Sequence, residues 1–432
     1  MKKILLFTIL PFIGFGQTQI GSDIDGEAAG DQSGRSVSLS ADGSTVAIGA
    51  YLNDGNGANS GHVRVYKNIA GTWTQIGSDI NGETAGDNSG YSISLSTDGS
   101  TVAIGAYLND GNGVNSGHVR VYKNIAGTWT QIGSDINGEA ANDNSGWSVS
   151  LSTDGSTVAI GTPNNDGNGV TSGHVRVYKN VTNVWTQIGS DINGESVGDG
   201  SGWSVSLSAD GSTVAIGAYL NDGNGTDSGH VRVYKNIADV WTQIGDDIDG
   251  EAVGDESGYS VSLSTNGSVI AIGAYRNDGS ASNSGHVRVY QNVVGVWTQI
   301  GSDINGEAAN DNSGWSVSLS ADGSTVAIGA LSNDENGTDS GHVRVYDLSS
   351  VLSLNSFIQS NFSVYPNPTS ERLTIDLENN LILEKVNIYN TLGQIIKTES
   401  NTTIDVSKLQ KGTYFVEVIT NQGKATKSII VN

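Results

Sequence analysis

The six histidines of the chain are copies of one position: His62, His118, His174, His230, His286 and His342. Each opens a His-Val-Arg-Val-Tyr run, so imidazole, guanidinium and phenol share one side of an extended segment. Such a face suits packing between repeated units better than catalysis. Carboxylates recur with the same regularity. The first set is Asp23, Glu27, Asp31 and Asp54, and Asp79, Glu83, Asp87 and Asp110 are equivalents one unit later. At least 24 such acids fall in loops rich in Gly and Asn. Oxygen donors of this kind are hard ligands for calcium, and crowded like charges repel unless cations screen or bind them. The same loops also read as solvated turns, because Asn53-Asp54-Gly55-Asn56-Gly57 is ordinary turn chemistry. One position varies among otherwise near-identical units: Arg35, Tyr91, Trp147, Trp203, Tyr259 and Trp315. A ring of these side chains either stacks on sugars and grips cations, or plugs a channel. No nucleophile–base–orienter set of unlike residues is visible, so no catalytic residue is assigned.

The elements that position these groups follow from a fixed period. Gly-His-Val-Arg-Val-Tyr begins at Gly61, Gly117, Gly173, Gly229, Gly285 and Gly341, a spacing of 56 residues. A period of this order marks a solenoid or propeller. Within one unit the alternation predicts four strands, Ser36–Ser40, Thr45–Ala50, His62–Lys67 and Thr72–Gly77, with Asp42-Gly43 as a hairpin turn. Four antiparallel strands per unit make a propeller blade. Small residues on one face, such as Ala47 and Gly49, let blades approach near the axis, while Trp73 fills the rim. The sixth unit stops at Tyr346 without a Trp-Thr-Gln-Ile-Gly strand, and Gln17-Thr18-Gln19-Ile20-Gly21 supplies that sequence at the other end. The expectation is an all-β, six-bladed propeller over 17–346, its last blade closed by the N-terminal strand. In that topology the long loops, with their acids and the aromatic ring, share one face.

The ends of the chain differ from its middle. Met1-Lys2-Lys3 and the apolar run Ile4 to Ile13, with Gly14 and Gly16 before Gln17, read as a signal peptide over 1–16. No later stretch reaches the ~18 apolar residues of a membrane span. The chain carries 45 acids and 21 bases, and with 8 acids and 7 bases in 347–432 and two lysines in the signal, 17–346 keeps 37 acids and 12 bases. That acidity argues against nucleic acid as a partner. The absence of Cys excludes disulfides and thiolate sites. Residues 347–361, rich in Ser, read as a linker. Seven short alternating runs from Phe362 to Val431 then predict a small Ig-like β-sandwich over 362–432.

That last segment resembles the type A C-terminal sorting domain of the type IX secretion system of Bacteroidota. The likeness rests on Tyr365-Pro366-Asn367-Pro368, Val386-Asn387-Ile388-Tyr389-Asn390, Leu392-Gly393-Gln394, Gly412-Thr413-Tyr414, and Lys424 and Lys427 before the final strand. It implies the type IX machinery as a partner and a secreted or outer-membrane surface location. The repeats resemble FG-GAP units, the blades of integrin α propellers, through Ser33-Gly34-Arg35-Ser36, Gly49-Ala50-Tyr51 and Gly61-His62-Val63-Arg64-Val65-Tyr66. That family's Asp-x-Asp-x-Asp-Gly calcium loop is here only Ala41-Asp42-Gly43-Ser44, so its calcium sites do not carry over. The reading is a non-enzymatic binding or adhesion propeller that presents the ring to an extracellular glycan or protein. Two other readings stand beside it: a polysaccharide-acting enzyme with a pocket where units differ, around Thr162-Pro163-Asn164, Arg276 or Ser280-Ala281-Ser282, and a passive scaffold.

Overall fold

The computed structural model describes residues 19–432 apart from 294, 353–360, 379–380, 392 and 422. The signal peptide, Gln17, Thr18 and Leu392 therefore lie outside the described residues. In the first repeat the alternating runs form β1 (Ser36–Leu39), β2 (Thr45–Ala50), β3 (His62–Ile69) and β4 (Thr72–Gln75). They pair antiparallel in the order β1-β2-β3-β4, and a two-residue strand, β5 (Ile80–Asn81), pairs back onto His62 and Val63 of β3. This pattern recurs in five successive sheets. The fifth strand is too short to show a periodicity, and the sequence reading missed it.

Each sheet buries one face against the next. Ala47, Val63, Val65 and Ile80 of the first repeat meet Leu95, Val102 and Ile104 of the second, and four more clusters repeat this arrangement down the chain. Burial of each such aliphatic side chain stabilises by roughly 1.5–3 kcal/mol. Close approach requires glycine on the inner strands: a Cβ at Gly49 would stand 2.1 Å from the Gly90 carbonyl oxygen, and one at Gly161 only 2.0 Å from that of Gly202. At the rim, the indole N–H of Trp129 donates to the Ile76 carbonyl at 2.7 Å, tying the fourth strand of one repeat to its predecessor.

The sixth sheet has three strands, Ser313–Leu319, Thr325–Ala330 and His342–Asp347. The expected closure by the N-terminal strand is corrected here. Residues 19–27 have the sequence of an inter-repeat connection and lie on the first repeat. The Ile20 carbonyl accepts from Trp73 Nε1 at 2.7 Å, and the Asp25 carbonyl accepts from Arg64 Nη2 at 2.6 Å. On the sixth repeat, Leu348, Val351 and Leu352 pack with Ile300, on the side where a fourth-strand tryptophan packs elsewhere. Among the described residues, nothing covers the outer faces of the terminal repeats. Val37 and Leu39 are 63% and 56% exposed, whereas Leu95 is 7%; Val343 and Val345 are 68% and 65% exposed, whereas Val63 and Val65 are 0% and 1%.

The C-terminal segment forms two sheets, as its seven runs predict. Phe362–Tyr365, Arg372–Leu377 and Thr403–Asp405 make one. Ile395–Glu399, Leu383–Tyr389, Gly412–Thr420 and Gly423–Val431 make the other. Leu373, Ile375, Val386, Ile388, Val416 and Ile429 fill the core between them.

Two glycine substitutions separate close approach from backbone freedom. Gly161→Ala is expected to cost about 1–3 kcal/mol or more, because the Gly202 backbone must move. Gly71→Asn is expected to be nearly neutral, since nothing lies within 4 Å of its Cβ direction and the equivalent Asn183 already adopts φ 66°. Thermal melts of the two variants check this; equal melting points would remove the close-approach argument.

Candidate functional site

The variable ring position is brought together as expected. Each aromatic follows a turn with left-handed residues, as at Asn144 (φ 57°) and Gly146 (φ 86°) before Trp147. That turn aims the side chain inward from the start of the innermost strand. Ring centroids step from Tyr91 to Trp147 at 4.9 Å, Trp147 to Trp203 at 4.6 Å, Trp203 to Tyr259 at 5.4 Å and Tyr259 to Trp315 at 4.7 Å. Arg35 ends the series, its guanidinium 4.6 Å from the Tyr91 centroid and its Nη2 donating to the Tyr91 hydroxyl at 3.1 Å. The sequence reading missed a second set. Tyr51, Tyr107, Tyr219 and Tyr275 stand behind the ring, with Tyr219 and Tyr275 each 4.4 Å from a ring aromatic. Its signal was the Tyr51 position, which is aromatic in four of the six units. The result is a continuous, half-buried aromatic surface rather than five separate rings. Burial pushes the Tyr91, Tyr107 and Tyr219 phenols up, so they stay neutral donors at physiological pH.

The fifth repeat breaks the symmetry beside this surface. Buried Glu256 replaces the Asn88 and Asn144 of other units, and the Arg276 Nη1 lies 2.6 Å from its Oε1. Arg276 also stands 5.3 Å from the Tyr275 centroid. Arg276 was singled out from the sequence; Glu256 was not. Of the other two places singled out, Asn164 donates to Asn144 Oδ1 at 2.6 Å, and Ser280 Oγ donates to the Gly306 carbonyl at 3.0 Å.

The loop carboxylates sort into different environments. Asp31 is buried and accepts from the Ala28 amide and from Asn53 Nδ2, both at 3.0 Å. Its equivalent Asp87 accepts from the Glu83 and Thr84 amides, the Thr84 hydroxyl and Asn109 Nδ2. Asp54 is exposed and accepts from the Asn59 amide at 2.8 Å. Asp23 accepts from Gln19 Nε2 at 2.8 Å. Glu27 faces His62 Nδ1 and Arg64 Nη1, each at 3.7 Å. The four acids proposed together as metal ligands are thus not one ligand set. The structure instead groups Glu27, from the connection before the first sheet, with His62 at the start of β3 and Asp79 just before β5.

Five of the histidines are buried between repeats, as their strand face implies, whereas His342 on the sixth repeat is only partly buried. Burial, reinforced by the adjacent Arg120, pushes His118 down to about 4, and His174, His230 and His286 behave alike. These four are neutral imidazoles at pH 7, so the nearby carboxylates are not their ion-pair partners. The Arg120 guanidinium is the charged neighbour of Glu83, at 3.4 Å.

With this geometry in place, two family models match the chain. The FG-GAP repeat matches residues 23–66, 81–122, 137–178, 193–234 and 305–346, and the secretion system C-terminal sorting domain matches 363–432. The chain is an FG-GAP repeat protein with a type IX sorting tail. It is secreted or held at the cell surface, and among the described residues no helix is long and apolar enough to cross a membrane. The fifth repeat, which carries Glu256 and Arg276, lies outside the matched ranges. The Kuenenia stuttgartiensis hydrazine synthase is a similar solved structure, with a TM-score of 0.51 at 15% identity over 78% of this chain and 82% of that one. A candidate 6-phosphogluconolactonase of Bacteroides uniformis reaches 0.50 at 13% identity over 73% and 80%. These likenesses show the propeller-like all-β fold alone. The ulvan lyase NLR42 of Nonlabens ulvanivorans is 39% identical over 90 residues, 19% of this chain. The match spans only 17% of that lyase's length.

In the FG-GAP protein's sorting domain, the motif residues form internal ties. The Asn367 side chain donates to the Ser428 carbonyl at 3.0 Å and accepts from the Ile430 amide at 2.8 Å, between Pro366 and Pro368. Tyr414 Oη donates to the Gln410 carbonyl at 2.9 Å. Lys424 lies 3.3 Å from buried Glu417, and Lys427 reaches the Phe362 carbonyl. Gly393 holds positive φ at a turn, Gly412 opens the strand Gly412–Thr420, and Tyr365 is half exposed.

The loop acids yield a test. Asp87→Ala leaves four donors without their acceptor and is expected to cost about 3 kcal/mol or more. Asp54→Ala, exposed and with one amide donor, is expected to cost about 1 kcal/mol or less. Urea unfolding with calcium or chelator present measures both; a calcium-dependent loss at Asp87 would show that a cation shares its carboxylate.

Proposed function

We propose that this chain is a non-enzymatic binding propeller, exported by the type IX route to present its aromatic surface to an extracellular glycan or protein. The observation that supports this reading is the contiguous series from Arg35 through Trp147 and Trp203 to Trp315, half-buried and clustered at the long-loop end of the inner strands. Flat indoles beside neutral phenol hydroxyls suit the apolar face and hydroxyl edge of a sugar ring. Near-identity of the repeats multiplies one contact rather than assembling the unlike groups that catalysis needs. Calcium enters this reading as a ligand of the exposed loop acids around that surface.

A second reading, a polysaccharide-acting enzyme, draws support from the one asymmetric cluster, Glu256 with Arg276 and Tyr275, and from the short similarity to an ulvan lyase. A carboxylate paired to arginine at 2.6 Å is a poor free base, which favours the binding reading.

An array of extracellular glycans and proteins, probed with the full mature chain in calcium and in chelator, tests the proposal. Trp147→Ala with Trp203→Ala is expected to lower binding at least tenfold while circular dichroism stays unchanged. Binding untouched by the double variant would sink the aromatic-surface reading. Release of reducing ends from ulvan or other polysaccharides, lost in Glu256→Gln, would establish the enzyme instead. A silent array would leave the scaffold reading.

A further inference from the structure

The strongest unassigned feature is the Glu–His–Asp grouping at the repeat interfaces. In the fourth repeat it joins Glu195, His230 and Asp247, and four further triads occupy equivalent positions, such as Glu83, His118 and Asp135. His230 is 1% exposed, and neither of its ring nitrogens makes a hydrogen bond. A buried polar atom without a partner is uncommon and calls for an explanation. Its Nδ1 faces Asp247 Oδ2 at 3.6 Å and Glu195 Oε2 at 3.9 Å, too far for hydrogen bonds.

The remaining oxygens are already held. Arg232 Nη1 stands 3.4 Å from Glu195 Oε1, and Gln243 Nε2 donates to Asp247 Oδ1 at 2.6 Å. Each carboxylate is thereby oriented by one oxygen and offers the other to the imidazole. Outer partners of this kind fix the ligands of metal sites. Bonds of about 2.0–2.2 Å to a tetrahedral ion place neighbouring donors roughly 3.4 Å apart, so the two Nδ1–oxygen spacings at His230 need only a few tenths of an ångström of closure, while the other triads, whose donor atoms lie within 4.8 Å of one another, must close further. Access is open: the equivalent Asp79 and Asp135 line rim grooves of about 270 and 330 Å³, each bordered by a tryptophan.

We propose that each Glu–His–Asp triad binds a first-row divalent metal ion, of which Zn²⁺ is the probe, with solvent or an exogenous ligand completing its coordination. One nitrogen among three donors selects against calcium, which takes six to eight oxygens. The site is distinct from the loop acids and from the aromatic surface, so it stands or falls apart from the binding reading. Its position ties consecutive repeats together, because Glu195 follows the short strand Ile192–Asn193 of the third sheet, whereas His230 and Asp247 belong with strands of the fourth. The sixth repeat keeps Glu307 and His342, 3.7 Å apart, but position 359, where the aspartate would fall, is Gln359.

Equilibrium dialysis of the full mature chain against Zn²⁺, with Co²⁺ absorption as a second readout, tests the assignment. The expected uptake is about one ion for each of the five triads, unaffected by a tenfold excess of Ca²⁺. Glu195→Gln keeps a hydrogen-bond acceptor for Arg232 and is expected to remove about one ion. Gln243→Ala, which frees Asp247, is expected to weaken one site 10–100-fold without unfolding the chain. No uptake, uptake displaced by calcium, or uptake unchanged in Glu195→Gln would overturn the proposal.

Discussion

The backbone of one repeat comes so near the inner strand of its neighbour that no side chain fits between them, and the architecture depends on that contact. At Gly49, Gly105, Gly161, Gly217 and Gly273 a Cβ would stand 2.0–2.1 Å from a carbonyl oxygen of the next repeat. Hydrogen bonds such as Gly90 N–H to the Gly105 carbonyl and the Ser36 hydroxyl to the Gly90 carbonyl lock the turn in place. The same turn delivers Tyr91 or its equivalent to the ring. Aromatic contacts of 4.6–5.4 Å between repeats are therefore a consequence of the glycine contact. Gly329 lacks the neighbouring carbonyl, because no repeat follows it.

The strands were legible because their alternation is strict and their turns carry Asp-Gly or Asn-Gly. The strand expected at Thr45–Ala50 keeps those bounds in the structure, and the seven runs expected from Phe362 to Val431 all form strands. The aromatic ring was legible for a different reason: it is the position where near-copies differ. The Glu–His–Asp triads were not, since Glu27 lies 35 residues before His62 and Asp79 lies 17 after it. Only the return of β5 onto β3, a pairing of two residues, folds that aspartate back to the histidine. The constant spacing of the three residues in successive units was the available signal. Closure of the ring was misjudged because complementarity of sequence says nothing about occupancy. The apolar contact with Ile300 is made by Leu348, Val351 and Leu352, which had been read as linker.

The acidity that dominates the composition is largely absorbed within the fold. Carboxylates of the Asp42 type accept from Ser40 and Ser44, which pulls Asp42 down to about 2 and keeps it ionised. Those of the Asp87 type take backbone amides, and those of the Asp79 type take a glutamine amide. These loop charges are matched locally by N–H or O–H donors, so much of the repulsion expected from counting acids is offset without requiring bound calcium. Counting charges therefore overstates the demand for cations, whereas counting unsatisfied buried atoms points to the histidines.

That difference separates two kinds of repetition in this molecule. Where every repeat satisfies its own polar groups, as at the Asp31 clamp, copying yields stability and nothing is left to recruit a ligand. Where every repeat leaves the same buried atom without a partner, as at His118, His174 and His230, copying repeats an energetic cost. Substituting all of these imidazoles by apolar groups would remove that cost at once. The repeated orphan is Nε2, while Nδ1 faces the carboxylates that arginine and glutamine orient; at His230 Nδ1 too is without a partner, and a ligand from outside the chain would supply one there. The two uncovered end faces differ in this respect: Val37 and Leu39, or Val343 and Val345, are apolar surface without any directed polar group. They lack a neighbour, whereas the triads lack a ligand.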